Sequence, residues 1–255
     1  MRTVIEATSG ISGPIQEKVQ EKVRGKVSRL READCRVYHL GRLPYRRAWE
    51  LQRILVARRK TGEIPDTLLL LEHPPVITLG RNGHRRHLLS SPETLQEQGI
   101  EFVETDRGGD VTYHGPGQLI GYPILDLGVI RKDVGWYVRT LEEVLIRTAA
   151  DCGVQAGRRE KLTGVWVDGC KLAAIGVRIS RWITSHGFAL NVETDLGSFQ
   201  HIVPCGIPAC PVTSFRELLG NRADLGQVRE RVTQHMGELF GLRMQAAAPE
   251  QLQRF

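Results

Sequence analysis

The chain has 255 residues and a mass of 28.6 kDa, with 41% apolar and 25% charged residues, which suits one large folded domain or two small ones and excludes a disordered, collagen-like or coiled-coil chain. No apolar run approaches the roughly 18 residues of a membrane-spanning helix, and the N-terminus lacks the apolar core of a secretory signal. The formal charge of +6 is unevenly placed: residues 1–60 carry 15 Lys/Arg and 6 Asp/Glu, a balance of +9, and the remainder carry 20 and 23, a balance of −3.

Residues 1–12 are small and polar and read as disordered. Residues 14–31 place Ile15, Val19, Val23, Val27 and Leu30 in one narrow apolar stripe on a basic helix opened by Pro14. Such a helix is either a solvated face or a surface for an acidic partner, nucleic acid or membrane. Residues 1–35 are therefore expected to be an extension, 36–240 the globular domain and 241–255 a tail. Within the domain, residues 36–40 read as a strand and 45–60 as a helix with Ala48, Leu51 and Leu55 inward. Thr67–Glu72 and Val76–Leu79 read as strands around His73-Pro74-Pro75. A short helix follows Ser91-Pro92, then strands Glu101–Thr105 and Leu119–Leu125. Residues 134–150 form a helix with Val138, Leu141, Leu145 and Ala149 inward. Val165–Val167, Lys171–Ile179, Ile183–Thr184 and Phe188–Val192 read as four short strands, and 214–219 and 225–240 as helices. Adjacent strands without alternating helices predict an α+β class, with mixed or antiparallel sheets and flanking helices.

Cys35, Cys152, Cys170, Cys205 and Cys210 are odd in number and contain no CxxC pair, so free thiols in a reducing, cytoplasmic setting are expected, with no metal site. The densest functional signal is Arg107-Gly108-Gly109-Asp110-Val111-Thr112-Tyr113-His114-Gly115-Pro116-Gly117-Gln118. Its four glycines allow close approach of a ligand to backbone, while Arg107, Thr112, Tyr113 and His114 supply donors and an aromatic wall. Neither GxxxxGK[ST] nor GxGxxG occurs. Downstream lie Lys171-Leu172-Ala173-Ala174-Ile175-Gly176-Val177-Arg178, then His186-Gly187-Phe188-Ala189-Leu190-Asn191, then Pro204-Cys205-Gly206-Ile207. A cysteine between proline and glycine sits on a sharp loop, and a neighbouring cation or base is needed to make it a thiolate.

These four motifs, in this order and spacing over about residues 36–240, resemble the lipoyl(octanoyl) transferases, which move octanoyl from acyl carrier protein to lipoyl domains. The resemblance implies a biotin/lipoate protein ligase-like catalytic domain. It implies Cys205 as the nucleophile and acyl-thioester site and Lys171 as the lysine that favours the thiolate. It also implies an acyl pocket built from Arg107, Gly108, Gly109, Asp110, Val111, Thr112, Tyr113, His114, Ala174, Ile175, Gly176, Gly187, Phe188 and Ala189. The implied partners are octanoyl-acyl carrier protein, the lipoyl domains of 2-oxoacid dehydrogenase E2 subunits and the glycine cleavage H protein. No cofactor, nucleic acid or membrane is implied.

The residue chemistry is compatible. A thiolate exchanges readily with a thioester and retains the activated bond without ATP. The incoming amine must lose a proton, which Lys171 can accept, and glycine-rich backbone near Cys205 offers N–H donors to an oxyanion. The alternative is an ATP-dependent lipoate or biotin ligase on the same fold, which needs a lysine but no nucleophilic cysteine. The GRGRxGR loop that biotin ligases resemble is missing.

Overall fold

A computed structural model describes residues 33–206 and 210–254 of the chain. The expected basic helix at 14–31 and the disordered lead before it lie outside the described residues.

Four consecutive leucines organise the core. They occupy β2 (Asp66–Glu72), where side chains alternate between the two faces of a sheet. Leu68 and Leu70 enter one apolar layer, and Leu69 and Leu71 enter the other. Such a doubly buried strand reads as a continuous apolar run. On one side β2 pairs in parallel with β1 (Ala33–Arg42), and on the other it pairs antiparallel with β6 (Gln118–Ile124). The main sheet continues through β10 (Ile183–Asn191), β9 (Cys170–Ser180), β8 (Leu162–Val167) and β7 (Gly157–Arg159), all antiparallel. At the far edge β11 (Leu242–Ala247) pairs in parallel with β1. A smaller sheet holds β3 (Val76–Leu79) between β4 (Glu101–Glu104) and β5 (Val111–His114).

Helices cover both faces of the main sheet, as the α+β expectation requires. One face carries α1 (Tyr45–Lys60), with Ala48 and Leu55 against Leu69, Ile120 and Tyr122. A short helix, α2 (Pro92–Glu97), seals the small sheet through Leu95. A single turn, α3 (Leu127–Ile130), precedes α4 (Val134–Asp151). After α5 (Phe215–Leu219) comes α6 (Leu225–Phe240), which shares the opposite apolar layer with α4. Asp133 accepts from the Trp136 amide to open α4, and Asp224 accepts from the Gly226 and Gln227 amides to open α6. Gly241 closes α6 in the left-handed region at φ 66°.

Three differences from the sequence expectation have physical causes. The two strands expected at 183–184 and 188–192 are one, β10. Its ladder with β9 runs without a break from Ile183 to Leu190, although His186 sits at φ 54° and sends its N–H to Gln52 Oε1. The polar Ser185-His186-Gly187 interruption marks that deviation, not a gap between strands. Val111–His114, within the glycine-rich segment to which the sequence reading gave no strand, is held as β5 by pairing with β3. The expected tail contains β11, whose strand state depends on a partner more than 200 positions earlier.

Candidate active site

The β9–β10 ladder pairs Gly176 with Gly187, Ile175 with Phe188 and Ala174 with Ala189. Small residues in two adjacent strands leave a hollow over the sheet. The segment before β5 closes it: Gly108 donates its N–H to Val177 O at 2.9 Å, stitching the glycine-rich segment to β9. A Cβ on Gly176 would lie 2.8 Å from Gly108 O and 3.2 Å from Arg107 Cδ, so only glycine permits this approach. The result is a cavity of about 230 Å³. A 150 Å³ apolar cavity holds benzene, so this one has room for a medium-length acyl chain.

Most of the expected pocket residues meet here. Arg107, Gly109, Asp110, Val111, Thr112, His114, Lys171, Ala174, Ile175, Gly176, Gly187, Phe188 and Ala189 all line the cavity. Gly108 and Tyr113 are not among the lining residues. Gly108 makes the stitch to Val177 beside it. Tyr113 follows the two-residue alternation of β5 into the other apolar cluster, where its ring stands edge-on to Phe199. Sequence reasoning missed Tyr45, Tyr122, His186, Lys161, Leu162 and Thr163 in the lining. His186 lay inside a segment already singled out, but its orientation depends on the left-handed backbone there. Lys161–Thr163 gave no signal, because they enter from the end of the β7–β8 turn and the start of β8.

Arg107 is buried, and its guanidinium is fixed by Thr78 and Gly108. Nη2 donates to Thr78 O and Oγ1 at 2.8 Å each, and Nη1 donates to Gly108 O at 3.0 Å. Below it lie three buried histidines. His73 Nδ1–H donates to Leu43 O at 2.6 Å, which leaves Nε2 to accept from the Tyr122 hydroxyl at 2.8 Å. Burial lowers its pKa to about 4. His114 stacks on Tyr45, with ring centroids 6.1 Å apart, and bonds Gln118 Oε1 through Nδ1 at 2.8 Å. Burial above all, then His73 and Arg107, hold its pKa well below the usual histidine value. His186 bonds Asp106 through Nε2 at 2.8 Å, but burial outweighs this carboxylate and its pKa is also lowered. At neutral pH the cavity therefore rests on neutral imidazoles beside the cationic Arg107.

Lys171 is the second residue of β9, which Cys170 opens after a two-residue turn, Asp168-Gly169, with φ 47° and 83°, the conformation of a tight hairpin. Its backbone is pinned by two bonds to the 211–213 segment: Lys171 N donates to Pro211 O, and Thr213 N donates to Lys171 O. Its side chain is buried, with Nζ 4.6 Å from the centre of the Trp166 ring. Lys171 also shares a narrow cleft with Thr112, Ala174 and Pro204. Pro204 opens the short turn Pro204–Gly206 that carries Cys205. At its other end Gly206 has φ 67° and packs on Asp110 and His87, where a Cβ would strike both. Asp110 in turn bonds His87 Nδ1 at 2.6 Å. The turn thus abuts the cavity lining at both ends. The Cys205 side chain, and with it the expected contact to Lys171, lies outside the described residues. Among the described residues no cluster of His, Cys, Asp or Glu is arranged to hold a metal, and no helix is long and apolar enough to cross a membrane.

Residues 44–237 match the lipoyl protein ligase A/B catalytic domain model. An octanoyltransferase from Solibacter usitatus is 58% identical over 211 residues, covering 83% of this chain and 95% of that protein. One from Koribacter versatilis is 53% identical over 209 residues, covering 80% and 83%. Among solved structures, a lipoate-protein ligase A bound with ATP superposes with a TM-score of 0.71 at 16% identity, over 87% of this chain and 93% of that one. The putative lipoate protein ligase Ta0514 from T. acidophilum, with bound lipoic acid, gives 0.70 at 15%, over 87% and 93%. At these identities the two structures speak for the fold.

Proposed function

The chain belongs to the lipoyl protein ligase A/B catalytic-domain family and is an octanoyltransferase of protein lipoylation, and from that premise we propose how its site works: octanoyl passes from acyl carrier protein to Cys205 and then to a lipoyl-domain lysine. The observation that carries this reading is the convergence of one acyl-sized cavity, Lys171 and the Pro204–Gly206 turn.

In the first half-reaction the Cys205 thiolate attacks the donor thioester carbonyl. The tetrahedral intermediate collapses by breaking the carrier's C–S bond, and the carrier leaves as a thiol after taking a proton. Lys171 supplies that proton. In the second half the acceptor lysine, as a free amine, attacks the Cys205 thioester. Lys171 takes the proton that the new amide sheds, and the Cys205 sulfur departs as thiolate. The acyl tail lies between Ile175, Phe188 and Ala189, where apolar area is removed from water. Arg107 and the glycine-rich segment hold the wall in place. The neutral histidines beneath add no charge that would oppose burial of the tail.

The reading extends to particular partners: octanoyl-acyl carrier protein as donor, and E2 subunits and the glycine cleavage H protein as acceptors, within the cytoplasm. Its test is the intact mass of the enzyme after incubation with octanoyl-acyl carrier protein and no ATP. One octanoyl group is expected on the Cys205 peptide, and none in Cys205→Ser. Transfer that requires ATP and leaves the enzyme mass unchanged would instead indicate a ligase.

A further inference from the structure

We propose that the exposed loop 81–89 is the docking surface for the acceptor lipoyl domain, with that domain's carboxylates on Arg81 and Arg86 and an apolar contact on Leu89. The inference deepens the reading that a lipoyl-domain lysine takes the acyl group from Cys205, and it rests on that reading.

Arg81, Arg85 and Arg86 are all exposed, and Leu89 is 60% exposed. Arg85 is already paired with Glu104 at 2.6 Å. Among the described residues neither Arg81 nor Arg86 has a carboxylate partner. The surface therefore offers two uncommitted guanidiniums and one large apolar side chain.

The loop is fastened to the nucleophile's turn. Val203 N donates to His87 O and Leu89 N donates to His201 O, both at 2.8 Å, and Leu88 forms a β-bridge with Ile202. Two more bonds tie it to the cavity wall: Arg81 N donates to Arg107 O at 2.9 Å, and Asn82 N donates to Gly109 O at 3.2 Å. A partner seated on the loop is thereby held in register with both Cys205 and the acyl pocket.

Reach decides which substrate docks here. The donor thioester ends a long flexible arm, so the carrier protein can sit at a distance. The acceptor amine ends a four-carbon stem only about 6 Å long. Its domain must touch the enzyme within roughly that distance of the thioester, and loop 81–89 is the surface tied to that turn. Two free arginines select a partner whose lysine is flanked by carboxylates, through attraction that salt weakens.

The test separates the half-reactions in Arg81→Glu/Arg86→Glu. Enzyme acylation by octanoyl-acyl carrier protein is followed without acceptor. Transfer from pre-acylated enzyme to an isolated lipoyl domain is followed in a single turnover. Acylation is expected within about twofold of wild type, while transfer falls by about tenfold or more and loses its salt dependence, as reversal of two rim charges implies. Arg81→Gln/Arg86→Gln should show a smaller loss in the same step. Transfer at the wild-type rate in the charge-reversed enzyme overturns the proposal. So does a loss confined to acylation, which would assign the loop to the carrier protein. A wild-type enzyme that takes up no octanoyl group would refute the acyl-enzyme reading first, and the docking surface with it.

Discussion

His73 makes the acid stability of this fold a direct measure of how the cavity floor is built. Its imidazole donates to Leu43 O and accepts from Tyr122, a pairing that holds only while the ring is neutral. Burial lowers its pKa from the ordinary 6.5 to about 4. A depressed histidine pKa means that the unfolded chain binds the proton more readily, so stability is full above pH 6.5 and falls as pH drops towards 4. The whole gap is worth about 3 kcal/mol, of which about 2 kcal/mol is lost between pH 7 and pH 5. For a domain of this size, 2 kcal/mol corresponds to roughly 4–8 °C in Tm. The perturbation is His73→Asn, which keeps a donor for Leu43 O and cannot take up a charge. Thermal unfolding of both proteins is followed by circular dichroism at pH 7 and pH 5. The variant starts less stable, because the Tyr122 hydroxyl loses its acceptor, but its Tm should fall less between the two pH values by about 4–8 °C. His114 and His186 remain to give the variant some acid sensitivity, since both are also held below their ordinary pKa. Equal losses in the two proteins would refute the assignment of the neutral ring.

Cys205→Ser should abolish octanoyl transfer in a lipoyl-domain gel-shift assay, whereas Cys35, Cys152, Cys170 and Cys210 should each tolerate alanine with activity retained. Lys171→Ala should move iodoacetamide alkylation of Cys205 to higher pH and slow acylation. Lys171→Arg should keep part of the thiolate yet fail at transfer, because arginine does not exchange a proton at working pH; full activity in that variant would leave Lys171 as a charge only. Gly176→Ala places a methyl 2.8 Å from Gly108 O, so kcat/KM should drop by about tenfold or more, and an unchanged value would mean that the glycine-rich segment moves freely over β9.

Where local pattern and tertiary environment agree, the sequence could be read to within a residue or two. Ala48 and Leu55 recur at helical spacing and face the core of α1, and the leucines of β2 are buried on both faces as their unbroken run implies. The pocket segments at 174–176 and 187–189 were legible through the family resemblance of their motifs, which names residues that the structure brings together around one cavity. What escaped depended on distant partners. β11 owes its state to β1, and β5 to β3. The His186 backbone bond to Gln52 crosses 134 positions. Tyr113 was assigned to the pocket with its neighbours, although alternation along a strand sends it the other way. Lys171 and the Cys205 turn lie 34 positions apart in the sequence, and the cleft that Lys171 shares with Pro204 exists only once β9 has packed against Pro204 and the 211–213 segment.

The parallel pairing of β1 with β11 has a consequence for biosynthesis. β1 is bonded on one side to β2, which emerges from the ribosome soon after it. Its other edge has no native partner until Leu242–Ala247 has been made, about 200 residues later. At about 5–20 residues per second that delay is on the order of 10–40 s. During this interval the nascent chain carries an open strand edge able to pair with a neighbouring polypeptide. The last strand to be synthesised is thus the one that covers β1, and a chain cut short before residue 242 would have the whole catalytic cavity encoded while β1 stood as a bare edge.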